Sequence, residues 1–191
     1  MPPEFFAHPS AFIDPDVEIG SGTRIWHFSH LLSGSRIGKN CVIGQNVMIG
    51  PRVRVGDGCK IQNNVSVYEG VTLEDDVFCG PSAVFTNVLM PRAFVEKKNE
   101  FLATRVGCGA TIGANATVIC GLTIGRYAMI GAGAVVTRDV DAYALVVGSP
   151  ARFCGWVGKG GERLDQRLTC PRTGERYAMV NGRLEPEREI P

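Results

Sequence analysis

The side chains best suited to chemistry cluster around one interruption in an otherwise regular sequence. Asn87 lies in the stretch FTNV just before this interruption, and Glu69 occupies the position three hexads before Asn87. A carboxamide can hold an amine through hydrogen bonds, and a carboxylate can orient the amine or accept its proton. The interruption also carries basic side chains that suit the phosphates or carboxylate of a substrate. These candidates for substrate binding are Arg92, Lys97, Lys98 and Arg105.

A six-residue repeat must position these residues. Steps of six from Ile13 to Phe85 meet thirteen apolar anchors in succession, and the same step resumes at Val106 and continues to Val136. Four residues after nearly every anchor stands a small or β-branched side chain, so two positions per hexad point inward. A period of six fits neither an α-helix nor a regularly alternating strand. It predicts an all-β fold, a parallel β-helix in which three hexads form one coil and residues 18 apart stack.

The repeat also predicts how the chain is organised. Nineteen hexads correspond to about six coils, which we assign to residues 1–154, with residues 1–12 as an N-terminal cap. Between Phe85 and Val106 the chain uses 21 residues where one hexad needs six, so about 15 residues must leave the coil. We place this extruded loop at residues 91–105. Residues 155–191 differ in composition and are predicted to form a C-terminal extension, a turn and a strand pair packed on the last coil or on a neighbour.

The histidines are the usual candidates for a general base or for metal ligands. His27 stacks under position 45 and then Asn63 by the 18-residue rule, and we expect His27 and Asn63 to contribute to substrate binding. Both His27 and His30 lie about three coils below Asn87, which argues against either as the base within one subunit. A zinc site of the γ-class carbonic anhydrase type needs three converging histidines, and the spacing of His8, His27 and His30 does not supply them. We therefore predict no metal.

Composition narrows the functional classes. The chain has 20 Lys plus Arg and 19 Asp plus Glu, so its net charge of +1 does not favour nucleic acid as a partner. It has no apolar run long enough to span a membrane and no leader-like N-terminus, which predicts a cytoplasmic protein without membrane insertion. The seven cysteines form no CxxC pair and are expected to be reduced, with Cys41 and Cys59 at core positions.

The hexad pattern [LIV]-G-x-x-[STAVC]-x resembles that of left-handed β-helix acyltransferases. RIWHFSHLLSGSRIG at 24–38, FTNV with the following PR, and the tail CPRTGERY resemble a narrower group, the bacterial N-acetyltransferases of UDP-2-acetamido-3-amino-2,3-dideoxyglucuronic acid. Those enzymes serve the diacetamido-uronic acids of lipopolysaccharide O-antigen. The resemblance implies a left-handed coil, acetyl-CoA as donor, and a homotrimer with its active site at a subunit interface. It further implies that Asn87 holds the sugar amine while the CoA thiolate takes the final proton.

Acetyl-CoA is expected along the later coils. Small corner residues leave room there for the pantetheine arm, namely Ala114, Ala132 and Gly133. The segment VVGSPAR at 146–152 resembles the G-x-P-A-[KR] ending of these acetyltransferases, which implies that Pro150, Ala151 and Arg152 contact CoA. The alternative is that Pro150 only terminates the β-helix.

Other functions remain open from the sequence. The enzyme could acetylate another nucleotide-linked amino sugar or a sugar hydroxyl. A hydroxyl is a poorer nucleophile than an amine and needs a stronger base, so the absence of a well-placed histidine favours transfer to nitrogen. A non-catalytic β-helix scaffold is a further alternative, but it would not explain the charged loop or the GSPAR ending.

Overall fold

The computed structural model describes residues 5–187, and most of them form one continuous parallel β-helix, as predicted. The chain passes through three sheet faces in turn, here called faces A, B and C, so that each face gains one strand per coil. The hexapeptide repeat supplies this architecture, because each short strand ends in a turn that directs the chain to the next face. Among the described residues, the single helical element is a 3-10 turn at Lys98–Glu100.

The strands are short and regular. Face A contains eight parallel strands, at Phe6–Ala7, Arg24–Ile25, Val42–Ile43, Lys60–Ile61, Phe78–Cys79, Thr111–Ile112, Met129–Ile130 and Ala144–Val147. Face B contains seven, at Phe12–Ile13, His30–Leu31, Met48–Ile49, Ser66–Val67, Val84–Phe85, Thr117–Val118 and Val135–Val136. Face C contains six, at Glu18–Ile19, Arg36–Ile37, Arg54–Val55, Val71–Leu73, Thr104–Val106 and Thr123–Ile124.

The strand register confirms the predicted stacking of every third hexad. Ile61 pairs with Ile43 on one side and with Cys79 on the other. Across the interruption Cys79 pairs with Ile112, 33 positions later instead of 18, so the insertion has the length that the sequence predicts. The strand Thr104–Val106 has already rejoined face C, however, so the predicted loop end at Arg105 is two residues too late.

The coil extends beyond the predicted six turns at both ends. Phe6–Ala7 and Phe12–Ile13 are strands, so the prediction of a separate cap is wrong for residues 6–12, and residues 1–4 lie outside the described part of the chain. Ala7 occupies an anchor position, but its small side chain gives a weak hydrophobic signal. At the other end Ile130 pairs with Val146, only 16 positions later, and this shorter coil breaks the period on which the count depended.

The interior of the coil is filled by the inward-pointing residues of each hexad. Ser29 is buried among them because its hydroxyl donates to the Gly44 carbonyl at 2.7 Å, which satisfies the polar atom inside the core. Cys41, Cys59 and Cys79 are fully buried free thiols, which confirms the prediction for the first two. Burial raises the pKa of the Cys79 thiol to about 12, so this side chain behaves as a small apolar group.

The C-terminal extension begins with a reversal of direction. The strand Arg152–Trp156 runs antiparallel to Ala144–Val147, so the predicted boundary after residue 154 falls inside a strand. A hairpin of Tyr177–Val180 and Arg183–Pro186 follows. The extension packs on the last coil, as one of the predicted alternatives requires, through a small buried cluster formed by Tyr143, Leu164, Cys170, Tyr177 and Leu184.

Candidate active site at two corners of the coil

Five of the predicted binding residues lie at the turn from face A to face B, here called the AB corner. The face A register stacks the equivalent corner positions of successive coils above one another, and it continues across the insertion. The lower part of this column is polar and the upper part is small, so the column changes chemical character at the level of the insertion. From the N-terminal end it contains His27, Gln45, Asn63, Pro81, Ala114 and Ala132, with Gly133 beside the last.

The second column lies at the turn from face B to face C, here called the BC corner. Ser66 pairs with Val84, which places Asn87 one coil above Glu69. The backbone carbonyl of Asn87 accepts a hydrogen bond from the Leu102 N–H at 3.0 Å, so these two residues form the stem of the extruded loop, residues 88–101. The half-buried Asn87 side chain has no hydrogen-bond partner within residues 5–187. Its amide donor and acceptor are therefore both available to a ligand.

Glu69 has a partner that the sequence did not predict. Its carboxylate accepts a hydrogen bond from the Arg52 guanidinium on the coil below, and no hydrogen bond joins Glu69 to Asn87 among the described residues. The 18-residue rule pointed to Pro51 instead, one position before Arg52. The Arg52 side chain is 71% exposed, and an ion pair at such a surface contributes little stability. The Arg52 contact therefore holds the Glu69 carboxylate only weakly.

The basic character of the loop is weaker than its sequence suggests. Lys97 pairs with Glu100 at 2.7 Å, and Lys98 lies 3.5 Å from the Glu96 carboxylate. Arg92 is exposed and has no acidic partner in residues 5–187, so it is the one loop cation available to an anionic group.

Arg105 belongs to face C and not to the loop. Its guanidinium donates to Glu74, which also accepts the Cys108 N–H at 2.9 Å. Partial burial alone would raise the pKa of Glu74, but these two hydrogen bonds outweigh it and lower that pKa. Arg105 also lines a cavity of about 700 Å³ beneath the C-terminal hairpin. Three arginines and four carboxylates line the cavity, so it has no excess positive charge for a phosphate. The arginines are Arg105, Arg126 and Arg183, and the carboxylates are Glu74, Asp139, Asp141 and Glu185.

The upper AB corner is open at the positions predicted for CoA. Gly133 has a φ of +68°, and a methyl group added there would have no atom within 4 Å. Pro150 and Arg152 are exposed beyond it. Ala151 differs, because it is only 5% exposed and its N–H donates to the Val135 carbonyl at 2.7 Å. This hydrogen bond holds the segment against face B.

Comparison with known proteins identifies the family. The family described as "Bacterial transferase hexapeptide (six repeats)" matches residues 16–51 and 103–138, and "Hexapeptide repeat of succinyl-transferase" matches residues 35–69. The chain is 42% identical over 180 residues to dTDP-3-amino-3,6-dideoxy-alpha-D-galactopyranose 3-N-acetyltransferase of Aneurinibacillus thermoaerophilus, covering 93% of this chain and 92% of that enzyme. The chain is a hexapeptide-repeat acetyltransferase.

Solved structures have the same architecture as this acetyltransferase. A hexapeptide-repeat acetyltransferase of Vibrio cholerae, solved with acetyl-CoA, superposes with a TM-score of 0.57 at 26% identity, over 65% of this chain and 72% of that one. The acetyltransferase domain of PglB from Neisseria gonorrhoeae, also with acetyl-CoA, gives a TM-score of 0.53 at 21% identity. It covers 79% of this acetyltransferase, which spans 58% of that chain, and at this identity it supports the fold alone.

The histidines of this acetyltransferase have other partners. His27 stacks on His8 with ring centroids 3.5 Å apart, and His30 Nε2 lies 2.8 Å from the Asp14 carboxylate. His27 is about 16 Å below Asn87 along the coil, at a strand spacing of about 4.8 Å. Residues 5–187 contain no group of three or more His, Cys, Asp or Glu side chains arranged to hold a metal ion. Within the same residues, no helix has the length and apolar character needed to cross a membrane.

Proposed function

We propose that this acetyltransferase moves the acetyl group of acetyl-CoA to the amino group of a nucleotide-linked amino sugar. The observation that carries the proposal is the 42% identity, over almost the whole chain, to an enzyme named for acetylating the 3-amino group of a dTDP-linked sugar. The free Asn87 carboxamide at the loop stem is consistent with it, because a neutral amine needs a hydrogen-bonding group to aim its lone pair.

The proposed reaction is direct transfer. The neutral amine attacks the thioester carbonyl, a C–N bond forms, and the C–S bond breaks to release CoA as a thiolate. Asn87 accepts a hydrogen bond from one amine N–H, while Glu69, once released from Arg52, accepts another or takes the proton. The thiolate is the alternative acceptor of the same proton. No covalent intermediate on the enzyme is required.

We propose a homotrimer assembled through face B. The outward positions of face B carry no Lys, Arg, Asp or Glu; they are Phe12, His30, Met48, Ser66, Val84, Thr117 and Val135. By contrast, four of the six outward positions on face C are charged, at Glu18, Arg36, Arg54 and Arg105. Interface cores are depleted in charged residues, and closed cyclic symmetry is the usual solution for a homo-oligomer.

The extruded loop supports the same assembly. Leu89, Met90 and Phe94 are 57%, 77% and 87% exposed within the single chain, an apolar surface that a second copy would cover. With face B at the threefold axis, the BC corner of one subunit meets the AB corner of its neighbour. The neighbour's Pro81 and Ala114 then flank Asn87 in height, with Asn63 one coil below Pro81, and the site is complete only between two subunits.

We propose a sugar with an amino group at C3, and two candidates differ at C6. A dTDP-3-amino-3,6-dideoxyhexose presents a methyl group, which suits the apolar side chains of Leu89 and Met90, two and three residues after Asn87. UDP-2-acetamido-3-amino-2,3-dideoxyglucuronic acid presents a carboxylate, for which Arg92 is the available loop cation. We favour the deoxy sugar, because the relative that is 42% identical is named for such a substrate. Delivery of the product to lipopolysaccharide O-antigen stays a prediction.

The test is release of free CoA from acetyl-CoA in the presence of each sugar. We expect turnover with the dTDP-linked amino sugar, weaker turnover with the UDP-linked uronate, and none with dTDP-galactose, which has a hydroxyl at C3. Arg92→Gln should reduce turnover of the uronate alone. Preference for the hydroxyl sugar would point to O-acetylation, and no release with any nucleotide-linked sugar would contradict the proposal.

A further inference from the structure

Trp26, at the AB corner, departs from the hexad pattern, and the proposed acetyl transfer gives it no role. The residue after the anchor is Gly in ten hexads, whereas after Ile25 it is Trp26. At Gly44, one coil above Trp26, an added Cβ would lie 2.7 Å from the Asn63 side chain, whereas Gln62 shows that the same column also accepts a long side chain. Trp26 is therefore a large apolar residue that stands partly exposed at a corner of the coil, where the hexad pattern does not call for one.

Trp26 is the centre of an aromatic surface. Its side chain is 38% exposed, and its ring lies parallel to that of His27, at an interplanar angle of 8°. His8 stacks beneath His27, and the edge of Phe6 supports Trp26 at a centroid distance of 5.7 Å. The indole is thus held by other rings while much of its surface faces solvent, and such a planar surface suits stacking with another flat ring.

We propose that Trp26 and His27 form the platform on which the base of the nucleotide-linked sugar stacks. This proposal rests on the proposed function and on the face B trimer. In that trimer a threefold axis parallel to the coil brings equal heights of neighbouring subunits together, so the neighbour's AB corner lies beside Asn87. His27 is then about 16 Å below the reacting amine, at about 4.8 Å per coil. A pyrophosphate and a pentose, which separate sugar from base, fill this interval.

The residue above the platform provides the polar half of a base-binding site. Gln45 stacks one coil above His27, is exposed, and its carboxamide has no hydrogen-bond partner within the described residues. A carboxamide presents one donor and one acceptor to the edge of a base, and aromatic side chains bind its face. An apolar protein partner would instead leave the Gln45 amide buried and unpaired, which is costly. The combination of ring and amide favours a nucleobase.

Fluorescence tests the platform without any chemistry. The chain has two tryptophans, Trp26 and Trp156, so the Trp156→Phe variant reports Trp26 alone. Titration with dTDP or UDP, without acetyl-CoA or sugar, should quench this emission and saturate. If Trp156→Phe is unstable, the difference between wild type and Trp26→Phe gives the same signal. No saturable quenching by either nucleotide overturns the proposal, even if the enzyme acetylates amino sugars normally.

Kinetics separate stacking from simple apolar contact. Trp26→Leu removes the ring but keeps an apolar side chain, and it should raise KM for the nucleotide-linked sugar about 5- to 150-fold, the value of one stacked base. Trp26→Phe should restore much of the loss. Neither variant should alter turnover of the amino sugar 1-phosphate, which has no base. If Trp26→Leu instead dissociates the trimer while nucleotide affinity is unchanged, Trp26 is an interface residue and the proposal fails. If wild type acetylates no amino sugar, only the proposed function fails.

Discussion

Gly133→Ala tests whether the upper AB corner binds acetyl-CoA. Gly133 has a φ of +68°, its N–H donates to the Ala114 carbonyl at 2.8 Å, and an added methyl would meet no protein atom within 4 Å. The substitution therefore costs only left-handed backbone strain, about 1–2 kcal/mol. For a chain of this size that lowers Tm by roughly 2–8 °C. If the pantetheine arm lies in this space, the methyl also overpacks the groove by about 1–3 kcal/mol, raising KM for acetyl-CoA about 5- to 150-fold.

Gly174→Ala is the matched control. Gly174 has a φ of +74°, donates its N–H to the Cys170 carbonyl at 2.9 Å, and has equally open space where the methyl would go. It lies in the C-terminal extension, away from both corners. Steady-state kinetics and thermal melts of the two variants should show a similar fall in Tm but a raised KM only for Gly133→Ala. Equal KM values together with equal Tm values would refute the placement of acetyl-CoA at this corner.

Three other perturbations test the geometry. Asn87→Ala should reduce kcat/KM for the amino sugar about 10²-fold, as expected for a misplaced reactant, at an unchanged Tm; wild-type kinetics would exclude Asn87 from the site. Thiol labelling of the native protein should reach the partly exposed Cys108 and Cys154 but not the five buried cysteines. Labelling of Cys108 should speed up as pH rises, because partial burial raises the pKa of its thiol, and labelling of further thiols would contradict the fold. Hydrogen bonding to His30 lowers the pKa of Asp14 below its unfolded value. The resulting stabilisation of the fold is complete above about pH 4 and is lost as pH falls through the folded pKa. Asp14→Asn should therefore lower Tm at pH 7 but not at pH 2, and an equal loss at both would argue against this linkage.

The fold could be predicted from the repeat because many hexads independently specify the same register. Each inward position must fit between the coil above and the coil below, so a slip of one residue would expose a whole column of anchors. The length of the insertion followed from the same constraint, since the register on either side of the loop is fixed. The prediction failed where the constraint weakens, at Ala7, whose side chain is too small to show as an anchor, and at Val146, whose coil is two residues short.

The site was less predictable because a side chain at a corner need not point towards the residue 18 positions earlier or later. The 18-residue rule placed Asn87 above Glu69, yet Glu69 turns down towards Arg52, one position out of register. Likewise, the neutralisation of Lys97 by Glu100 depends on the local 3-10 turn that brings positions three apart together. Side-chain direction at a turn depends on local dihedral angles, which the hydrophobic period does not specify.

The position of the insertion explains why the AB corner changes character where it does. Below the loop the corner presents His27, Gln45 and Asn63, which suit a polar nucleotide, and above it Ala114 and Ala132, which suit a narrow pantetheine arm. Two long substrates that react end to end need one groove with two different halves and a reactive centre between them. A coil that rises by a constant step lets each half be set by its own hexads, and the Asn87 loop stem marks the height at which amine and thioester meet. Exchanging a hexad in the lower half should therefore change nucleotide affinity while KM for acetyl-CoA stays the same, and the two constants would change together if both substrates shared one half.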